Sequence, residues 1–335
     1  MRTVHPALRI SAALALAAAP AAAGDAAAPA WPQHVLDNGT VALTVYLPDA
    51  AKGFYRGERF DWSGMIARAV HKGHAYFGPW KEPHDPADRE AAIGPAEEFG
   101  MTRPIGYDEA APGGLFPKIG VGLLAKEPDG AKTPSYGFWK PYAIATPGAW
   151  KVVTGPESVT FDQELAAPGG FAYRYEKRIA LLPGAPAFAI RHRLVNTGTR
   201  PIATDHYNHH FTVIDGSPAG PDYRVTFPFE PSVKSTKGLL GRAELKGREL
   251  VFTAEVEAGK PLYVLLEGFR GAEDNAFEVR NVRTGAALRV RGDRPVVKFP
   301  VYVARTAVCP EPFLDLALEP GAETTWGWEY TLLAE

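Results

Sequence analysis

Along most of the chain, apolar and polar residues alternate with a period of two, in runs of five to ten residues that stop at turn signals. "GTVALTVYLP" (39–48), "FAYRYEKRIALLP" (171–183), "AFAIRHRLVNTG" (187–198), "YRVTFPF" (223–229), "LVFTAEV" (250–256) and "TTWGWEYTLL" (324–333) follow this pattern. Side chains on a strand point alternately to its two faces. In "AFAIRHRL", Phe188, Ile190, His192 and Leu194 therefore share one face, while Arg191 and Arg193 take the other. The final run sends Trp326, Trp328 and Tyr330 to a common face. "DNGT", "TPGAW", "APGG", "LPGAP", "NTGTR" and "EPGAE" bound these runs with residues suited to tight turns. Only "PADREAAIGPAEEF" reads as a candidate helix. The pattern predicts an all-β protein of large antiparallel sheets packed face to face, with one domain over 35–335 and no internal repeat.

The first residues break this pattern and bear on location. Arg2 and Arg9 precede the apolar run "ISAALALAAAPAAAG", and Ala21-Ala22-Ala23 offers a small-residue cleavage site. Residues 1–23 are expected to be a secretory signal peptide, 24–34 a flexible leader, and the mature protein periplasmic or secreted. Pro20 interrupts the run, which argues against a permanent span, and none is expected after cleavage. With 34 glycines and 31 prolines scattered along the chain, many short segments are punctuated rather than one linker marked. A formal charge of −2, with no long basic run, gives nucleic acid and anionic membrane surfaces nothing to hold. Cys309 is the sole cysteine, so no intramolecular disulfide can form and the core must supply stability.

Chemistry concentrates in "TDHYNHHFTVID", 204–215. As a strand it places Asp205, Tyr207, His209 and Phe211 on one face and His206, Asn208 and His210 on the other. A transition metal is not expected: His206 and His210 would lie about 13 Å apart by strand rise, too far for one ion. A hard ion such as calcium on Asp205 and Asp215 stays open. So does the plainer alternative, that these groups satisfy buried backbone at a strand end.

The ordered run "YRYEKRIALLPGAPAFAIRHRLVNTGTRPIATDHYNHHF", with the ending "CPEPFLDLALEPGAETTWGWEYTL", resembles the galactose mutarotase-like superfamily. There, paired strands with an "N-x-G" turn lead into an Asn-His motif, and a glutamate precedes a "PG" turn and a final strand. The resemblance spans roughly 35–335 and implies a single β-supersandwich. The first half lacks the "HGG" and "NRI" signatures of ordinary aldose 1-epimerases and carries "KGFYRGERFDWSG" and "GPAEEFG" instead, which marks a divergent branch.

Carried onto this chain, the resemblance makes His209 the catalytic acid and Glu311 the base, with Asn208, His210 and His206 as neighbouring or alternative contacts. Mutarotation needs one group to remove the anomeric proton and another to protonate the ring oxygen. One acid and one base suffice, so no cofactor is expected, and the expected partner is a sugar or glycan. Sugars present hydroxyls to charged groups and C–H faces to aromatic rings. Arg59 and Trp62 in "FYRGERFDWSG", His74 and Trp80 in "GHAYFGPW", Glu98 in "GPAEEFG", and Lys118 are the candidate ligand contacts. Aromatic residues at alternate positions can equally be core. Two functions follow: an aldose 1-epimerase-like enzyme, or a non-catalytic glycan-binding protein on the same fold.

Overall fold

All but one of the alternating runs supply strands of one large sheet, and the run 39–48 supplies Ala42–Tyr46 in a separate four-stranded sheet. In the computed structural model, Ser158–Ala166, Ala172–Leu181, Ala187–Asn196 and Glu323–Leu333 are adjacent antiparallel strands within a ten-stranded sheet. Phe188, Ile190, His192 and Leu194 are buried as the alternation requires, and Arg191 is exposed. Trp326, Trp328 and Tyr330 are buried too. Gly327, between the two tryptophans, has no room for a β-carbon: one would lie 2.6 Å from the Ile190 carbonyl oxygen and 2.6 Å from Arg191 Cδ. A close approach of neighbouring strands sets this residue type.

The described residues are Met1, 31–128, 135–239 and 241–335. Apart from Met1, the expected signal peptide lies outside them, as does the leader up to residue 30. Trp31–Glu335 form one compact unit. Beside the ten-stranded sheet stand two four-stranded and two three-stranded sheets, and every strand pair is antiparallel. No α-helix occurs among the described residues, and no helix there is long and apolar enough to cross a membrane.

Two sheets position the chemistry. In one, the strand Ile202–His210 lies between Phe313–Leu318 and Pro95–Phe99. Its inner face packs on the large sheet, with the His206 ring 5.2 Å from Trp326 and 5.4 Å from Trp328. The other orders its strands Ser232–Lys237, Leu262–Glu267, Phe299–Ala304 and Ala307–Pro310, and ends next to Glu311.

The helix expected in "PADREAAIGPAEEF" is absent. Its first part is turns and its end is the strand Pro95–Phe99. Gly94 at φ 65° is the cause, since a side chain there would run into the Ile66 carbonyl and the left-handed backbone breaks any helix. Pro95 then starts an extended segment whose five residues are all buried, which erases the alternation that betrays a strand.

Candidate functional site

His209 and Glu311 reach one point from different sheets. The first is near the end of Ile202–His210 and the second directly follows Ala307–Pro310. His209 Nε2 stands 2.9 Å from Glu311 Oε1, with each side chain 8% exposed. The peptide N–H of Glu311 donates to the Pro300 carbonyl at 2.8 Å. The imidazole stacks on Phe211 at 4.0 Å, and Phe211 stacks on Trp80 at 4.4 Å, which holds the ring plane.

These two side chains line a cleft of about 260 Å³ together with Arg59, Glu90, Tyr207, Trp80, Tyr263, Tyr302, Phe138 and Met101. Tyr263 and Tyr302 are cross-strand partners, so one strand pair supplies an aromatic wall. Arg59 spreads its guanidinium over three partners: Nε donates to Glu98 Oε2 at 2.9 Å, one terminal nitrogen to Glu90, and the other to the Tyr207 hydroxyl at 2.9 Å. A guanidinium has five N–H groups, so two are left for a ligand. Glu98 also accepts from Tyr207 at 2.7 Å and from Lys118 at 3.1 Å. Burial pushes the Glu98 carboxyl up, but Lys118 and Arg59 outweigh it and hold it down at about 2.

The remaining expected contacts lie elsewhere. Glu98 and Lys118 are buried behind Arg59 and do not line the cleft. His74 pairs with Asp215, Nδ1 to Oδ2 at 2.9 Å, away from the cleft. Trp62 points inward and donates to the Gly57 carbonyl. Asn208 and His210 are fully buried on the inner face of their strand, because alternation from His209 turns both toward the large sheet. There Asn208 Nδ2 donates to the Tyr330 hydroxyl at 2.9 Å, and that hydroxyl lies 3.1 Å from His210 Nε2. His210 Nδ1 lies 2.8 Å from the carbonyl of Pro310. Burial pushes the His210 imidazole down to about 4, so it is neutral at physiological pH. A neutral ring that donates from Nδ1 accepts at Nε2, and the chain Asn208, Tyr330, His210, Pro310 ends on the residue before Glu311.

A second polar cluster fills the space between the sheets. Lys177, His192 and Trp326 are aligned across three strands. Glu97 reaches in from the facing sheet, with Oε1 2.9 Å from His192 Nε2 and Oε2 2.9 Å from Lys177 Nζ. Asp61 joins through Tyr175 and Ser63. Burial raises the Asp61 carboxyl to about 6 against the pull of Lys177, and Glu97 adds to the rise. Among the described residues, Glu97, His192 and His206 are the one group whose potential metal-ligand atoms lie within 4.8 Å of one another. His206 thus meets Glu97 and His192 rather than His210. Asp205 accepts from the backbone of Thr102 and Arg103, and Asp215 from Ala75, so neither aspartate belongs to such a group.

Glu90, Tyr263, Tyr302, Phe138 and Met101 were not among the expected cleft residues. Tyr302 sits in "FPVYVA", an ordinary alternating strand, and nothing local distinguishes its outward face. Glu90 had one available signal, a carboxylate in a turn-rich segment just before the strand that carries Glu98.

No protein-family model matches the chain, and a search of curated proteins finds no match. Solved structures do. The Slr1438 protein from Synechocystis sp. PCC 6803 superposes with a TM-score of 0.55 at 12% identity, over 92% of this chain and 98% of that one. A GalM/aldose epimerase homologue from C. elegans gives 0.53 at 14%, over 91% and 99%. A galactose mutarotase-like protein from Lactobacillus casei ATCC 334 gives 0.50 at 13%, over 90% and 100%. The chain therefore has the galactose mutarotase-like fold, in a form far diverged in sequence.

Proposed function

We propose that this protein is an exported sugar isomerase of the aldose 1-epimerase kind, using His209 as acid and Glu311 as base. The observation that carries the reading is the 2.9 Å approach of His209 Nε2 to Glu311 Oε1 at the cleft. The ring oxygen and the anomeric hydroxyl of a cyclic sugar sit on the same carbon, so the groups that serve them must lie close together. Glu311 takes the anomeric hydroxyl proton, the C1–ring-oxygen bond breaks, and His209 gives its proton to the departing ring oxygen. The result is the open aldehyde. Rotation about the C1–C2 bond and the reverse transfers close the ring as the other anomer. Arg59 and Glu90 present a donor fork and a carboxylate to sugar hydroxyls, while Trp80, Tyr263 and Tyr302 suit its C–H faces. The likeness in fold to an aldose epimerase homologue supports the same reading.

One observation favours binding without catalysis. His209 Nδ1 has no hydrogen-bond partner among the described residues, so the ring lacks the group on its far nitrogen that usually orients a catalytic imidazole. NMR or polarimetry on freshly dissolved α-glucose and α-galactose separates the readings. Catalysis predicts acceleration over buffer, slowed roughly 10²-fold or more by His209→Asn and by Glu311→Gln, with sugar affinity kept within several-fold. No acceleration with either sugar leaves binding as the better reading. Export rests on the basic, apolar and small-residue order of residues 1–23. Mature protein should begin near Gly24 in the periplasm or medium, and intact Met1 on cytoplasmic protein would count against it.

A further inference from the structure

The cleft at His209 and Glu311 does not end at the sugar ring. Trp80, Glu90 and Tyr302 line both it and a larger groove of about 670 Å³. The two are thus adjoining parts of one concave surface. Alone, the cleft is below the ~300–1,000 Å³ usual for small-molecule sites. The groove beyond it is bordered by the 79–82 segment and the Glu257–Gly259 turn. Thr306, on its wall, donates from its hydroxyl to the Trp80 carbonyl and pins that segment against the turn between Phe299–Ala304 and Ala307–Pro310. Its lining mixes an indole and a phenol with Lys81, Glu82, Glu257 and Arg305. Apolar rings beside rim charges of both signs suit sugar units, which offer C–H faces and hydroxyls together.

We infer that the substrate is the reducing end of an oligosaccharide, with its free anomeric carbon at His209 and Glu311 and the following units along the groove past Trp80 and Tyr302. This rests on the epimerase reading above. Ring opening needs an unsubstituted anomeric hydroxyl, so the sugar in the cleft must be the reducing-end unit. The rest of the chain leaves it from another hydroxyl. No glycosidic bond is made or broken, and the proton transfers remain those of mutarotation. Contacts made by remote units can be used to orient the reacting ring, which raises kcat/KM for the longer substrate.

The test compares anomer interconversion of glucose and xylose with that of maltotriose, cellotriose and xylotriose, by NMR, alongside calorimetric binding of each. Ala258→Trp, at a residue that lines the groove but not the cleft of His209, Glu311 and Arg59, is the variant. At least one trisaccharide should exceed its monosaccharide in kcat/KM by about tenfold or more, and Ala258→Trp should remove that advantage while leaving the monosaccharide rate unchanged. Equal kcat/KM for monosaccharides and all trisaccharides would overturn the inference. If a trisaccharide binds more tightly than its monosaccharide, loses that margin in Ala258→Trp, yet is never accelerated, the groove stands as a glycan site and the epimerase reading falls. Neither binding nor acceleration of any glycan would overturn both.

Discussion

Glu97 and Glu98 are adjacent in the chain, yet their carboxylates belong to separate ion-pair networks on opposite faces of one strand. Glu98 meets Arg59 and Lys118 behind the cleft, and Glu97 meets Lys177 and His192 between the sheets. Strand alternation makes this possible, and the complete burial of Pro95–Phe99 makes both pairings necessary, since an unpaired charge there would be costly. The strand thus ties the site to the core.

Glu98 makes stability acid-sensitive in a defined window. Its folded value of about 2 lies below the ordinary 4.5, so its contribution is complete above pH 4.5 and lost as pH falls through about 2. That shift corresponds to something on the order of 3 kcal/mol. Glu98→Gln should lose about that much at pH 7 and show a flatter stability profile between pH 4.5 and 2. Chemical denaturation across pH 2–7 measures both, and an unchanged profile would refute the assignment.

Asp61 acts with the opposite sign. Its folded value of about 6 lies above the ordinary 3.8, so between these values the folded protein holds a proton that the unfolded chain has released. Its contribution to stability therefore falls as pH rises from 3.8 to 6 and is constant above. Asp61→Asn keeps an acceptor for the Tyr175 and Ser63 hydroxyls and should remove that slope. A slope unaltered in the variant would place the titration on another group.

His210 positions Glu311 through the Pro310 carbonyl. In His210→Phe the carbonyl loses its donor, and the peptide before Glu311 is held only through its N–H to the Pro300 carbonyl. kcat should fall roughly 10- to 10²-fold with KM nearly unchanged, because the carboxylate is displaced while the cleft walls remain. Tyr330→Phe, which removes the hydroxyl between Asn208 and His210, should move kcat in the same direction by less. If KM rises and kcat holds, His210 acts on ligand binding instead.

Half-buried strands were legible in the sequence because their two faces meet different solvents. Ala172–Leu181 and Ala187–Asn196 show it in their alternating burial, and the faces read in "DHYNHHF" match the structure, with His209 toward the cleft and His206, Asn208 and His210 inward. Pro95–Phe99 was hidden because both of its faces are buried and two of its five residues are glutamates. His209 and Glu311 came from the order of motifs. The spacing of 102 residues between them carries no local signal that they meet. Tyr263 and Tyr302 were invisible for the same reason, since the cleft is assembled by sheet packing from segments far apart in the chain.

Arg59 offers the sharpest test of how the cleft holds a ligand. Its fork is fixed by Glu98, Glu90 and Tyr207, and its guanidinium carbon lies 4.6 Å from the Phe60 ring centre. A lysine keeps the charge but not the planar geometry, and its single ammonium cannot hold three separate partners in that arrangement while still facing the cleft. Arg59→Lys should therefore raise KM for sugar about tenfold or more, and lower kcat less than His209→Asn or Glu311→Gln does, because the proposed acid and base are untouched. Steady-state NMR kinetics gives both constants. Thermal unfolding provides the control: a variant whose melting temperature drops while KM stays at the wild-type value would make Arg59 a purely structural partner of Glu98.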